Sequence, residues 1–441
     1  MHQFFARRAN IGVFYFPKIS CHNPLCQAIP NFMPRAEYDP LHTSIADRMQ
    51  QTNIFRENGT NMDTFIVKNN KSLRFGYTTG SCAAGAAKAA TELLLHGTTK
   101  ERISIVTPNG TILLLPAEET KSDGQVASCC IRKDSGDDPD VTNGIKIYAT
   151  VRKTNEHNQI RIDGGTGVGR VTKPGLACAI GEAAINPTPK RMIQAEAIKM
   201  AELYDYHGGL DIVISIPEGV EIAKRTFNPR LGIEGGISVL GTTGIVEPMS
   251  EQALIDSIKT EMNVLRAQGY SRMIVSPGNY GSLFSKMDMN IHAENAIQCS
   301  NFIGETLDHA AVCGFKELLF IGHIGKFVKL AGGIMNTHSR YADCRMELIA
   351  AHTALAGGSQ TLINKLMECV TTDEAVSLLK ANGLNEIVMR SLIGRIDFYL
   401  NNRTYGNVHT QTVMFSNQHG ILAKTDGADE LLRRIQTEGK K

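Results

Sequence analysis

The chain has 441 residues, 42% of them apolar, with 46 basic against 44 acidic side chains. That length exceeds what one hydrophobic core commonly serves, so two domains are expected. Balanced charge removes the electrostatic basis for nonspecific binding to nucleic acid or anionic membrane, and no apolar run reaches the roughly eighteen residues of a membrane span. A small molecule or another protein is the expected partner. Ten cysteines without a CxxC pair fit a reduced, cytoplasmic setting.

Residues 1–61 read differently from the rest. They carry no acidic residue before Glu37 and show no sustained periodicity. A secretory signal is a poor match, because no continuous apolar core precedes a small-residue cleavage site. The segment is expected to be a disordered extension, or to reflect a start assigned upstream of Met62.

From Gly76 the sequence GYTTGSCAAGAAKAATELLL joins a hydroxyl-rich loop to strong helix formers. Thr78, Thr79 and Ser81 stand where N-cap residues belong, and a helix entrance of this kind suits a carboxylate or phosphate. Capping alone is the rival reading. ERISIVTPNGTILLLPAEE then reads as a hairpin around Pro-Asn-Gly. VASCCIRK, IKIYATVRK and QIRIDGG follow as strands. The acidic loop Asp134, Asp137, Asp138 and Asp140 lacks the spacing of a calcium loop and is expected to be a solvated turn. In the glycine cluster after Asp163 the dinucleotide fingerprint GxGxxG fails, because Arg170 stands where its third glycine belongs. Residues 62–235 therefore suggest an α+β domain.

PKRMIQAEAIKMAELYDYHGG reads as a helix stopped by glycines, and LDIVISIP as a buried strand. ISVLGTTG, MIVSPGNYG and LLFIGHIG each place an apolar run before G-x-x-G. Their first glycines, Gly241, Gly278 and Gly322, are spaced by 37 and 44 residues. Repeated strand–loop–helix units of that length suggest a Rossmann-like α/β domain over residues 236–441, its loops gathered at the carboxyl ends of parallel strands. A helix over CRMELIAAHTALAGG, another over EIVMRSLIGRIDFYLNNR, one final strand and a fraying surface helix complete the pattern.

The blocks LRFGYTTGSCAAGAAKAA, KDSGDDPDVTNG, DGGTGVGRVTKPGL, GEAAINPTPKRMI, TFNPRLGIEGGISVLGTTGIVEPMS, PGNYG and GHIGKFVKLAGGIMNTHSRYADCRMELIAAH make the sequence similar to the cobalt-precorrin-5B C(1)-methyltransferases of anaerobic cobalamin biosynthesis. The resemblance runs from about residue 62 to the C-terminal region. It departs from the family's pattern at Ser81, usually threonine, and at Gly85, usually alanine. What it implies is methyl transfer from S-adenosylmethionine to carbon 1 of a cobalt-bound tetrapyrrole, giving cobalt-precorrin-6A and S-adenosylhomocysteine.

The donor is then expected at Gly241, Thr242, Thr243, Gly244, Gly278, Asn279, Gly281, Gly322 and Gly325. The macrocycle, with its acetate and propionate side chains, is expected at Tyr77, Thr78, Thr79, Ser81, Lys88, Arg170, Lys173, Arg191, Arg230, Asn336, His338 and Ser339. Glu247, His323 and Asp163 are the candidate bases. No protein-bound metal is expected, since the cobalt belongs to the substrate, and a homo-oligomer is compatible with the sequence. Two other readings are a nicotinamide-dependent reductase, which the missing fingerprint disfavours, and a noncatalytic corrinoid carrier.

Overall fold

The alanine-rich run forms the helix Thr79–His96, and fourteen of its eighteen residues are buried. A helix covered all round needs small side chains, and this one lies between the helix Pro187–Leu203 and the strands Val126–Arg132 and Lys146–Thr154. At Gly85 a Cβ would stand 2.7 Å from Leu115 Cδ1, so the glycine's cost in helix propensity is offset by close packing of the hairpin Arg102–Val106/Ile112–Pro116. The computed structural model describes residues 64–68, 70–278 and 294–438, all within the unit Thr60–Lys441. The expectation for residues 1–61 lies outside the described residues.

A five-stranded sheet supports this helix, in the order Glu118–Ser122, Val126–Arg132, Lys146–Thr154, Gly209–Ser215, Ile160–Gly164. Its pairings are antiparallel except the last, which is parallel. Period-two alternation puts Ile147, Ala149 and Val151 into the core. The glycine cluster marks a crossing of backbones. Gly167 sits against the Ile216 carbonyl at φ +75°, and Gly219 and Gly236 close on Gly167 from two other segments. The strands Gly167–Val168 and Gly236–Ile237 pair in parallel there.

The second sheet runs Ala296–Gln298, Arg272–Ser276, Glu317–His323, His409–Ser416, Gly420–Lys424. The first four strands are parallel and the last is antiparallel. Both faces are covered, as parallel sheets require. Met273, Val275, Leu318, Phe320 and Met414 pack among the helices that include Glu251–Ala267, Ile303–Cys313 and Asn385–Arg403. On the other face Ile274, Leu319, Ile321, Val413 and Phe415 pack against Leu431, Leu432 and Ile435 of the helix Ala428–Glu438.

The chain is thus mixed α/β, and its elements depart from the sequence reading in four places. Among the described residues, no strand of this sheet precedes Gly241. The run 237–240 makes only the short strand Gly236–Ile237 and a bridge at Val239, both with residues of the first half. Two of the three G-x-x-G segments therefore begin at the ends of neighbouring parallel strands, and the first does not. The final strand is a hairpin, His409–Ser416 with Gly420–Lys424. The helix after it is docked rather than frayed, for its Glu438 accepts from the backbone N–H groups of Ser271 (2.9 Å) and Arg272 (3.1 Å). The helices Gln360–Glu368 and Thr372–Ala381 join the second core without having stood out in the sequence. Among the described residues, no helix is long and apolar enough to cross a membrane.

Candidate functional site

At the entrance of the helix Thr79–His96 every candidate hydroxyl is buried and engaged. Thr78 Oγ1 accepts from the Ser81 N–H at 3.2 Å. Thr79 Oγ1 accepts from the Leu240 N–H (2.9 Å) and donates to the Leu240 carbonyl (3.2 Å), which also receives the Gly80 N–H (3.0 Å). Ser81 Oγ donates to Gly244 O at 2.7 Å, and so does the Thr78 N–H at 3.1 Å. The donors that the sequence offered to a carboxylate are spent on the cap and on the carbonyls of loop 240–244. Gly241 and Gly244 serve this junction, with the side chains of Thr78 and Thr107 where their Cβ atoms would fall. Thr242 and Thr243 are exposed on the same loop. Tyr77, also buried, donates its hydroxyl to Arg132 O at 3.1 Å, and burial pushes its phenol pKa up.

The acidic loop is a clamp rather than a solvated turn. Asp134 takes both terminal nitrogens of Arg74 (2.7 and 2.8 Å), Asp137 accepts from the Arg74 N–H (2.6 Å), and Asp138 accepts from the Met249 N–H (2.8 Å). Asp140 pairs with the buried Lys133 at 2.6 Å. Among the described residues, no group of three or more His, Cys, Asp or Glu side chains is placed to hold a metal ion.

Of the candidate bases, Glu247 is exposed and ion-paired with Lys68 at 2.8 Å. Asp163 is bound in a fork by Arg170 at 2.7 and 2.9 Å, and those bonds hold its carboxyl below the usual range. It is ionised but weakly basic, and Arg170 is occupied too. A lost general base costs about 10²–10⁴-fold in rate, whereas Asp163→Asn is expected to leave turnover within about threefold, read by steady-state kinetics. A hundredfold fall would restore Asp163 as the base.

His323 caps the helix Ile324–Leu330. Its Nδ1 accepts from the Gly325 N–H at 3.1 Å, its Nε2 lies 4.0 Å from Asp373 Oδ2, and its ring meets Phe415 edge-on at 5.6 Å. Burial lowers its pKa and Asp373 opposes the shift. The neutral ring thus carries its proton on Nε2, an assignment made from the cap bond, and the Nδ1 lone pair is already used. Gly322 lies within the strand, where a Cβ would enter the Phe327 ring.

Because Arg272–Ser276, Ala296–Gln298 and Glu317–His323 are parallel neighbours, their carboxyl ends lie side by side, the place where open α/β sheets take ligands. A cleft of about 210 Å³ opens there, lined in part by Phe227, Arg230, Leu254, Glu261, Gly278 and Ser300. Arg230 crosses it to Glu261 at 2.7 Å. Burial raises the Glu261 carboxyl, and Arg230 pulls it back. An acid whose folded pKa is raised weakens the fold as pH climbs through its unfolded and then its folded value. Arg230→Met widens that gap. The variant is expected to melt with the wild type near pH 4 and to be less stable by about 1–2 kcal/mol above pH ~7, measured by thermal melts across pH.

The remaining candidates are dispersed. Lys88 bonds Ser104 O (2.7 Å) and ion-pairs with Glu196 (3.1 Å), Lys173 reaches Arg230 O (3.4 Å), and Arg191 bonds Thr188 (2.9 Å). Asn336 Oδ1 accepts from the His338 N–H at 3.1 Å, and His338 and Ser339 are exposed. Asn279 and Gly281 lie outside the described residues. Among the described candidates, only Arg230 and Gly278 share the cleft. Sequence reasoning missed Glu261, and it missed Lys326, whose signal was the lysine directly after GHIG.

Comparison with known proteins is consistent over most of the chain. The family model CbiD matches residues 66–248, and the model CbiD, C-terminal domain, matches residues 336–426. The chain is 48% identical over 385 residues to the cobalt-precorrin-5B C(1)-methyltransferase of Ruminiclostridium cellulolyticum, covering 86% of this chain and 100% of that one. It is 45% identical to the protein of the same name from Alkaliphilus metalliredigens, again over 86% and 100%. A crystal structure of a cobalamin biosynthesis protein (cbiD) from Archaeoglobus fulgidus is 29% identical, covers 63% of this chain and 87% of its own, and superposes with a TM-score of 0.35.

Proposed function

The chain belongs to the CbiD family, and on that premise we infer that it methylates carbon 1 of cobalt-precorrin-5B in cobalamin biosynthesis, with S-adenosylmethionine as donor. The observation that carries this reading is identity of 48% and 45% over the entire length of two relatives of that name.

A sulfonium methyl is already activated, so the chain's task is to bind and orient two reactants and keep water away. The sheet edge suits the donor. It offers a glycine backbone at Gly278, a hydroxyl at Ser300, apolar walls from Phe227 and Leu254, and the Arg230–Glu261 pair. A cleft of about 210 Å³ is below the usual 300–1,000 Å³ of a drug-sized site, which favours part of the donor over the macrocycle there. The macrocycle is assigned to the surface of the strand-rich half. Separate hydrophobic clusters, one over residues 77–239 and one over 258–414, support a division into two parts. Pairing of Gly236–Ile237 and Ile245–Val246 with first-half strands supports a boundary after Val246 rather than after residue 235.

The test is anaerobic incubation of the protein with cobalt-precorrin-5B and methyl-labelled S-adenosylmethionine, followed by mass spectrometry of the corrinoid. One labelled methyl at carbon 1 is expected. Intact substrate and folded protein without transfer would overturn the reading and leave a corrinoid carrier in its place.

A further inference from the structure

Lys326 is the third residue of the helix Ile324–Leu330, directly beyond the strand Glu317–His323. Its Nζ lies over the backbone of Gly278, 3.6 Å from where a Cβ on that glycine would stand. Gly278 in turn lines the cleft. Among the described residues, no hydrogen bond or ion pair engages this ammonium. Its titratable neighbours do not neutralise it. Cys299 is fully buried and its thiol is pushed up to about 12 by that burial, so it stays protonated. Lys329 is a second cation, and its own Nζ is spent on Thr337 O (3.1 Å) and Ala342 O (2.9 Å). Burial lowers the pKa of Lys326, as expected of a charge without a partner.

A half-buried cation with no counterion among the described residues is costly, and an apolar chain of the same length would pack the stem equally well. The position is also the carboxyl edge of three adjacent parallel strands. We propose that Lys326 anchors an aliphatic carboxylate of one of the two substrates at this edge. The proposal rests on the methyltransferase reading above. Neither substrate of that reaction carries phosphate, and both carry carboxylates: the amino-acid end of the methyl donor, and the acetate and propionate arms of the tetrapyrrole.

The experiment compares wild type, Lys326→Met and Lys326→Arg. Calorimetry is run with S-adenosylhomocysteine and with 5′-methylthioadenosine, which keeps the nucleoside and thioether but lacks the carboxylate. Steady-state methyl transfer then gives KM for the tetrapyrrole. If the donor supplies the carboxylate, Lys326→Met loses about 10–100-fold in affinity for S-adenosylhomocysteine while 5′-methylthioadenosine binds all three proteins alike. If the macrocycle supplies it, donor affinities hold and KM for the tetrapyrrole rises about tenfold or more with kcat retained. In either case Lys326→Arg keeps most of the lost affinity. Both affinities and KM within about twofold of wild type in Lys326→Met overturn the proposal. A parallel loss for both nucleosides also overturns it, since it marks a structural residue. Wild-type protein that neither binds S-adenosylhomocysteine nor transfers a methyl group overturns the underlying reading and this proposal with it, told apart because the failure lies in the wild type.

Discussion

Gly167→Ala is expected to cost about 3–5 kcal/mol, enough to leave little folded protein at 37 °C. The added methyl would lie inside the Ile216 carbonyl, and the backbone there is already at φ +75°. No side-chain rotation relieves the clash, because every atom at the junction is main chain. Gly219 and Gly236 press on the Gly167 carbonyl from their own segments, so relief requires parting the paired strands Gly167–Val168 and Gly236–Ile237. Gly181 supplies the control. Its φ is +88° but no atom lies within 4 Å of its Cβ position, so Gly181→Ala carries only the left-handed strain of about 1–2 kcal/mol. Guanidinium unfolding of the two variants separates the terms, and equal small losses would mean that the crossing is looser than its geometry.

Asp140→Ala is expected to cost about 3–5 kcal/mol by a different route. It strands the Lys133 ammonium, which is 3% exposed and whose other bond is to the Ser135 hydroxyl. It also frees the N–H and hydroxyl of Thr142, both bonded to Asp140 Oδ1. Burial opposes ionisation of Asp140, but Lys133 and the Thr142 bonds outweigh it, and the carboxyl sits below its ordinary value. A carboxyl depressed in the fold stabilises fully above its unfolded pKa and stops doing so as pH falls through its folded value. The deficit of Asp140→Ala is therefore full at neutral pH and narrows below pH ~4. Adding Lys133→Met should recover most of it, since removing both partners leaves no orphaned charge. Urea unfolding of the single and double variants checks this, and a double variant as unstable as the single would show that the pair is not the source.

What the sequence disclosed and what it hid follow the range of the interactions. Alternation in Lys146–Thr154 and the alanine run of Thr79–His96 are local signals, and both elements form where expected. The segment ISVL before Gly241 carries the same apolar signature as a strand, yet its partner is a helix entrance 161 residues away through Thr79 and Leu240. A hydroxyl that caps a helix and one that binds a ligand look alike in sequence. Only the position of loop 240–244 decides between them. Asp134 was read as part of a solvated turn because its partner Arg74 lies 60 residues off. In the helix Ala428–Glu438 the apolar spacing of Leu431, Leu432 and Ile435 was present, but abundant charge masked it. Lys326 could be read as a lysine, though not as one lacking a counterion among the described residues, because burial and the distance to Gly278 are properties of the fold.

The order of strands in the second sheet sets a schedule for synthesis on the ribosome. His409–Ser416 lies inside the sheet, hydrogen-bonded to Glu317–His323 on one side and Gly420–Lys424 on the other. It is translated about 85 residues after Glu317–His323, which at ~5–20 residues per second leaves that neighbour's edge unpaired for roughly 4–17 s. An open apolar strand edge invites pairing with other chains. The strands of the first sheet all lie before residue 216, so that sheet can close while the second still waits. Nascent chains halted between residues 323 and 409 should therefore be the most dependent on chaperones.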